Sequence, residues 1–302
     1  MIRYFRHNDV DRKSWDECIN NSATGLPYAH SWYLDIVADR QWDGLVLNNF
    51  KAVMPLPWRS KLGIRYVYQP FFCQQLGVFG ERQIAREEMD SFLRKAEEHF
   101  KFMEVNLNYT NKEVVATEPR TNLILKVTSD VEEIRSNYSS NLKRSIKKAL
   151  SNHLEILENQ SGEQLIQLFR RSKGAVVDEL KAVDYERLAK LILESTQRGE
   201  GYITGVKNED GELISAGFFH ETEERLINLF PATSEEGKNL GASPFLLDHQ
   251  IKKLTASKKI MDFEGSMIPG VARFYESFGA VDQPYFPCTI NNLPPAIKWL
   301  KK

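Results

Sequence analysis

Residues 225–249 read RLINLFPATSEEGKNLGASPFLLDH, and residues 260–280 read IMDFEGSMIPGVARFYESFGA. The first stretch begins as an apolar strand over 225–232, passes a polar loop at 234–239 and enters a helix over 238–255. The small-residue turn Gly241-Ala242-Ser243 sets backbone N–H groups at a helix start, where the dipole favours an anion. Pro244 fits the first turn, because its missing N–H costs nothing there. Backbone N–H groups at the end of the strand suit an oxyanion; Pro231 has none to give, so Ala232 or Thr233 must donate. The second stretch starts as a strand over 259–264, with Asp262 and Glu264 at the end where α/β sites form. A short helix over 270–278 follows. Phe274 and Phe278, four apart, turn it inward, leaving Tyr275 at the margin of the buried face with a hydroxyl able to give a proton. Arg273 orients an acceptor or neutralises Asp262. The plainer readings are a capped helix start, a core tyrosine and a solvated strand end.

Outward from this segment the second part of the chain has a regular rhythm. Helices are expected at 129–138, 141–151, 162–173 and 184–198, and strands at 201–207 and 213–221. Asn208-Glu209-Asp210-Gly211 marks the hairpin between those strands. A last strand is expected at 285–290. The first third mixes strand-like runs at 45–49, 51–58 and 65–68 with a helix at 81–99, then strands at 102–107 and 122–127. Helices, an antiparallel meander and then β-α-β indicate an α+β class. Length suggests two domains, with a boundary after residue 127.

Composition narrows the function. The 302 residues carry a formal net charge of −1, with 42% hydrophobic and 27% charged residues. That balance excludes a generally basic nucleic-acid coat and an acidic disordered tail. Cys18, Cys73 and Cys288, odd in number and widely spaced, form neither a disulfide framework nor a zinc site, and reduced thiols point to the cytoplasm. The six histidines lack metal-ligand spacing, so no metal is expected. P-loop, dinucleotide, nucleophile-elbow and HExxH motifs are absent. No apolar run reaches the length of a membrane span. One segment stands out: NLKRSIKKA at 141–149 gives two cationic rows, Lys143/Lys147 and Arg144/Lys148, while Leu142, Ile146, Ala149 and Leu150 are expected to turn inward. Like charges so spaced repel, which an anionic ligand relieves; the bland reading is a solvated helix face.

KNLGASPFLL at 238–247 together with DFEG at 262–265 and GVARFYESFGA at 270–280 resembles the donor loop and closing motif of the GNAT acyltransferase superfamily. Within it the chain is most similar to FemAB-like proteins, tandem-GNAT transferases that add amino acids to peptidoglycan precursors, and the basic helix at 141–149 shares that likeness. The resemblance implies two GNAT-like (acyl-CoA N-acyltransferase) domains, each a mixed, mostly antiparallel sheet flanked by helices: 1–127, degenerate and acceptor-shaping, and 128–302, carrying the chemistry. It implies donor binding by Lys238, Asn239, Leu240, Gly241, Ala242, Ser243, Ala232 and Thr233, catalysis by Tyr275 as acid and Glu264 as base, and acceptor or phosphate binding by Lys143, Arg144, Lys147, Lys148, Arg273 and Asp262. Lys238 and Ser243 depart from the residues usual in that loop. The implied reaction moves an acyl or aminoacyl group from acyl-CoA or aminoacyl-tRNA, as co-substrates and not tightly bound cofactors, to an amine of a small molecule or a peptidoglycan precursor. The alternatives are a non-catalytic GNAT-fold binding module and an acetyl-CoA-dependent N-acetyltransferase of a small metabolite. tRNA is a partner in the aminoacyl case.

Overall fold

The computed structural model of the chain describes residues 1–111, 118–173, 180–265 and 267–295. They form two compact units: Met1–Arg120 with the segment from Pro284, and Thr121–Gln283. In the first unit, β1 (Ile2–Phe5), β2 (Trp42–Leu47), β3 (Ala52–Lys61), β4 (Ile64–Val67) and β6 (Phe102–Leu107) line up in that order, and β5 (Phe79–Gly80) pairs β3. Three helices accompany them: α1 (Arg12–Asn20), α2 (Ser31–Val37) and α3 (Arg86–His99). Trp15, Trp42, Tyr33, Phe79, Phe92 and Phe100 are buried in its core. The sequence reading has no helix at α1 or α2. Both are short, and the charges of α1 lie outside while Trp15, Cys18 and Ile19 turn in. Asp11 caps α1 by accepting from the Ser14 N–H.

The second unit is ordered β13-β7-β12-β11-β10-β9-β8, from β7 (Leu123–Lys126), β8 (Glu155–Leu157), β9 (Gly201–Lys207), β10 (Leu213–Glu221), β11 (Arg225–Thr233), β12 (Ile260–Asp262) and β13 (Val281–Asp282). Only β11 and β12 run parallel; every other pair is antiparallel. Its helices are α4 (Val131–Ser136), α5 (Ser140–Ser151), α6 (Gly162–Lys173), α7 (Ala182–Gln197), α8 (Glu235–Leu240), α9 (Ala242–Leu254) and α10 (Pro269–Glu276). Leu142, Phe219, Leu246, Phe263, Tyr275 and Phe278 share one core.

Three expectations need correction. The helix expected over 238–255 is two helices, because Gly241 takes a left-handed conformation (φ 79°) that ends α8 and starts α9. The boundary expected after Val127 lies inside the second unit, since β7 pairs β12 and β13 there. The last strand, β14 (Phe286–Asn291), belongs to the first unit, where it runs antiparallel to β6. Apolar pattern marks a strand but carries no information about which sheet edge it joins.

Candidate active site

The parallel pairing of β11 with β12 stops early. Arg225–Ile227 lie beside Ile260–Asp262, after which β12 ends while β11 continues to Thr233. Just past the divergence, β11 carries a bulge: Phe218 of β10 faces Phe230, but Phe219 faces Asn228, so Leu229 is extra. Bulges concentrate beside active sites, where they re-aim the strand. The Ser234 N–H donates to the Ile214 carbonyl at 2.9 Å. By antiparallel alternation the backbone of Ala232 therefore turns to β10, and that of Thr233 to the open edge. Of the two oxyanion donors expected from sequence, this geometry leaves Thr233 available and removes Ala232.

Tyr275 lies where the strands part, and Glu264 and Asn228 act on its hydroxyl. The Tyr275 ring stacks on Phe263 with centroids 4.8 Å apart and an angle of 17°, and the residue is only 6% exposed. Burial pushes its hydroxyl up to about 12; the Glu264 carboxylate adds to this, and the facing Asn228 amide opposes it. Tyr275 is thus a protonated donor throughout the physiological range, with the Glu264 charge adding to the hold on its proton. Glu264 has φ +52°, a conformation non-glycine residues adopt at a cost. Its N–H donates to Asp262 Oδ1 at 3.0 Å, which holds it there. Asp262 is wholly buried, and its other oxygen accepts from Arg225 Nη1 at 2.9 Å. Arg225 also donates to Gln283. Asp262 is therefore a structural anchor neutralised by Arg225, and the expectation that Arg273 neutralises it is corrected. Arg273 is exposed. Arg225 and Asn228 escaped the sequence reading because both lie inside an apolar strand pattern; the signal was the polar residue itself at a position where only apolar ones fit.

At the expected donor loop, Lys238 is exposed and paired with Glu235, and Asn239 is exposed. Ser243 Oγ shares a hydrogen bond with Thr233 Oγ1 at 2.8 Å, and Thr233 shares another with Ser215 at 2.9 Å. Leu240 packs against the core and Ala242 is fully buried. Gly241 is a point of close packing: a Cβ there would lie 2.4 Å from the Ser145 carbonyl oxygen of α5. The glycine is required twice, by its φ and by that contact. Gly241→Ala is expected to destabilise the second unit by at least about 1–2 kcal/mol, the cost of a left-handed non-glycine residue alone. Urea denaturation followed by far-ultraviolet circular dichroism measures it, and an unchanged midpoint would contradict the packing described.

The basic helix α5 puts its two cationic rows on different surroundings. Lys143 and Lys147 line a groove of about 500 Å³ with Arg135, Tyr138, Ile146 and Leu150; Leu150, expected to turn inward, is 57% exposed, because the core side of α5 is taken by Leu142 and Ala149. Lys143 Nζ donates to the Ser136 carbonyl at 3.1 Å. Arg135 makes a two-pronged pair with buried Asp248, at 3.0 and 2.6 Å, which fixes one wall. Arg144 donates to Asn141, and Lys148 is exposed. The structure therefore brings Tyr275 and Glu264 together and leaves the two lysine-bearing rows as a separate surface of the same unit.

No protein-family model matches the chain, and no curated protein does. Solved structures do match along nearly its whole length. The crystal structure of FemX superposes with a TM-score of 0.68 at 12% identity, covering 97% of this chain and 99% of that one. A tandem GNAT protein from the clavulanic acid biosynthesis pathway gives 0.53 at 13% identity, covering 97% and 99%. The fold is that of FemX and of tandem GNAT proteins. The C-terminal domain of a putative lysylphosphatidylglycerol synthetase from Agrobacterium fabrum shares it too, with a TM-score of 0.58 at 7% identity over 96% of this chain and 94% of that one. In this tandem GNAT fold both sheets are mixed and flanked by helices, as the resemblance implied. No helix among the described residues is long and apolar enough to cross a membrane.

Proposed function

We propose that the chain transfers an acyl or aminoacyl group from an activated donor to an amine, with the chemistry in the 121–283 unit. The observation that carries this reading is the buried Tyr275, stacked on Phe263 just past the end of β12, with a hydroxyl on which the Glu264 carboxylate acts. Aminolysis of a thioester or ester needs positioning and two proton transfers. Glu264 takes a proton from the attacking amine, Tyr275 gives one to the leaving sulfur or oxygen, and the Thr233 N–H faces the oxyanion. The likeness to FemX and a tandem GNAT protein supports the class of reaction. A peptidoglycan precursor is the acceptor suggested by the sequence resemblance, and Lys143 and Lys147 suit the phosphates of such a molecule.

The donor is tested by calorimetric titration with acetyl-CoA. Saturable binding that weakens about tenfold in Lys238→Glu supports an acyl-CoA donor held at the α8–α9 turn. Absence of binding at millimolar ligand moves the reading to aminoacyl-tRNA, which the close packing of Gly241 under Ser145 favours. For the lysine groove, Lys143→Glu with Lys147→Glu is expected to weaken inorganic pyrophosphate binding at least about tenfold at low salt and less at high salt, where screening already removes the attraction. Binding indifferent to both changes would make α5 a solvated helix.

A further inference from the structure

Between Asp43 and Glu81 the sequence holds no acidic residue, yet it holds Lys51, Arg59, Lys61 and Arg65. The last three lie on the hairpin of β3 and β4, which pairs Trp58 with Val67, Arg59 with Tyr66, Ser60 with Arg65 and Lys61 with Ile64. Leu62 and Gly63 are left as a two-residue turn, both with positive φ, 53° and 76°. Asn or Asp suits the first position of such a turn, since a short polar side chain tolerates the left-handed conformation. Leucine does not, and Leu62 is also 77% exposed. A Cβ on Gly63 would meet nothing within 4 Å, so the turn has open space beside it. Leu62 thus costs the fold twice, through strain and through apolar surface left in water, and gains no burial within its own unit.

The charges around it divide in two. Arg65 lies over the Trp58 ring at 3.9 Å and is neutralised by buried Asp43. Arg59 covers the Tyr68 ring at 4.1 Å, and neither it nor Lys61 forms an ion pair among the described residues. We infer that this hairpin docks the chain on the surface of an anionic lipid bilayer. Leu62 enters the boundary of the acyl chains, while Arg59 and Lys61 meet the phosphate headgroups. A nucleic acid fits the same face less well. It has no use for an exposed leucine, and its bases need open aromatic faces, whereas Trp58 and Tyr68 are already covered by guanidinium groups. One leucine and two cations give weak, reversible association. The inference stands apart from the transfer reading, because it uses no residue of the 121–283 unit.

The test mixes the full chain at low salt with vesicles of phosphatidylcholine, alone or with an equal part of phosphatidylglycerol, and reads the bound fraction by flotation. Binding is expected at millimolar lipid to the mixed vesicles only, and it should weaken as salt rises. Arg59→Glu with Lys61→Glu should lower partitioning at least about twentyfold, since each cation at such a surface contributes about fivefold. Leu62→Asn should lower it about tenfold, the worth of burying a leucine. The same variant should melt at or above the wild-type temperature, because Asn suits the left-handed turn; a structural role for Leu62 predicts a lower one. Leu62→Trp should give a fluorescence blue shift with the mixed vesicles and none with phosphatidylcholine alone. Lys143→Glu with Lys147→Glu, on the other unit, should retain the binding. Absence of wild-type binding to mixed vesicles, equal binding to both kinds, or wild-type binding by the hairpin variants overturns the inference. So does binding of total tRNA that is lost in Arg59→Glu with Lys61→Glu and unchanged in Leu62→Asn, which makes the hairpin a nucleic-acid surface.

Discussion

Tyr275→Phe is expected to lower turnover by about 10²–10⁴-fold, the usual worth of a positioned general acid, while donor affinity stays within twofold. The split follows from the geometry. The ring is held by stacking on Phe263 and packing in the core with Phe278, contacts that phenylalanine reproduces, so only the hydroxyl is lost. The pH profile carries a second check. With the hydroxyl pushed up to about 12, Tyr275 stays protonated below that pH, and loss of its proton cannot produce a falling alkaline limb near pH 10. A limb at pH 10 that vanishes in Tyr275→Phe would contradict the burial described. Wild-type turnover in that variant would remove Tyr275 from the mechanism.

Asp262→Ala is expected to have the largest effect on stability. It leaves the Arg225 guanidinium, 1% exposed, without its counter-charge, and breaking one side of a buried pair costs about 3–5 kcal/mol. All five tryptophans lie outside residues 121–283, so their fluorescence reports only the first unit and far-ultraviolet circular dichroism must follow the second. The double variant Arg225→Met with Asp262→Leu removes both charges and should recover most of that loss, since apolar replacement of a whole buried pair is often neutral or stabilising. It should not recover transfer, because Asp262 Oδ1 also fixes the N–H of Glu264 in its left-handed conformation. A drop under about 1 kcal/mol in Asp262→Ala would show that the pair is solvated in solution.

The strands Gly201–Lys207 and Leu213–Glu221 and the helix Gly162–Lys173 coincide with their expected bounds because each has a clear period and turn residues at its ends. Tyr275 and Glu264 were legible as residue types at a strand end and a helix margin. Asn228 was not, since a lone amide inside RLINLF carries no pattern; its hydrogen bond with Tyr275 joins residues far apart in the chain. Likewise KNLGAS reads as an anion cradle by local geometry, whereas the α5 carbonyl over Gly241 is a contact between elements ninety-odd residues apart in the chain.

By itself, then, the sequence determined most of the longer elements of the 121–283 unit, the α+β class and the segment 225–280 as the place of interest, because periodicity, turn chemistry and capping act over a few residues; the short strands β8 and β13 and the break between α8 and α9 were not legible in it. Only the tertiary structure decided that β11 and β12 part after Ile227, that Arg225 and not Arg273 neutralises Asp262, and that the chain returns from Pro284 to the first unit. Those outcomes depend on pairing between strands distant in sequence, where register and neighbour are set by which buried surfaces and charges fit one another.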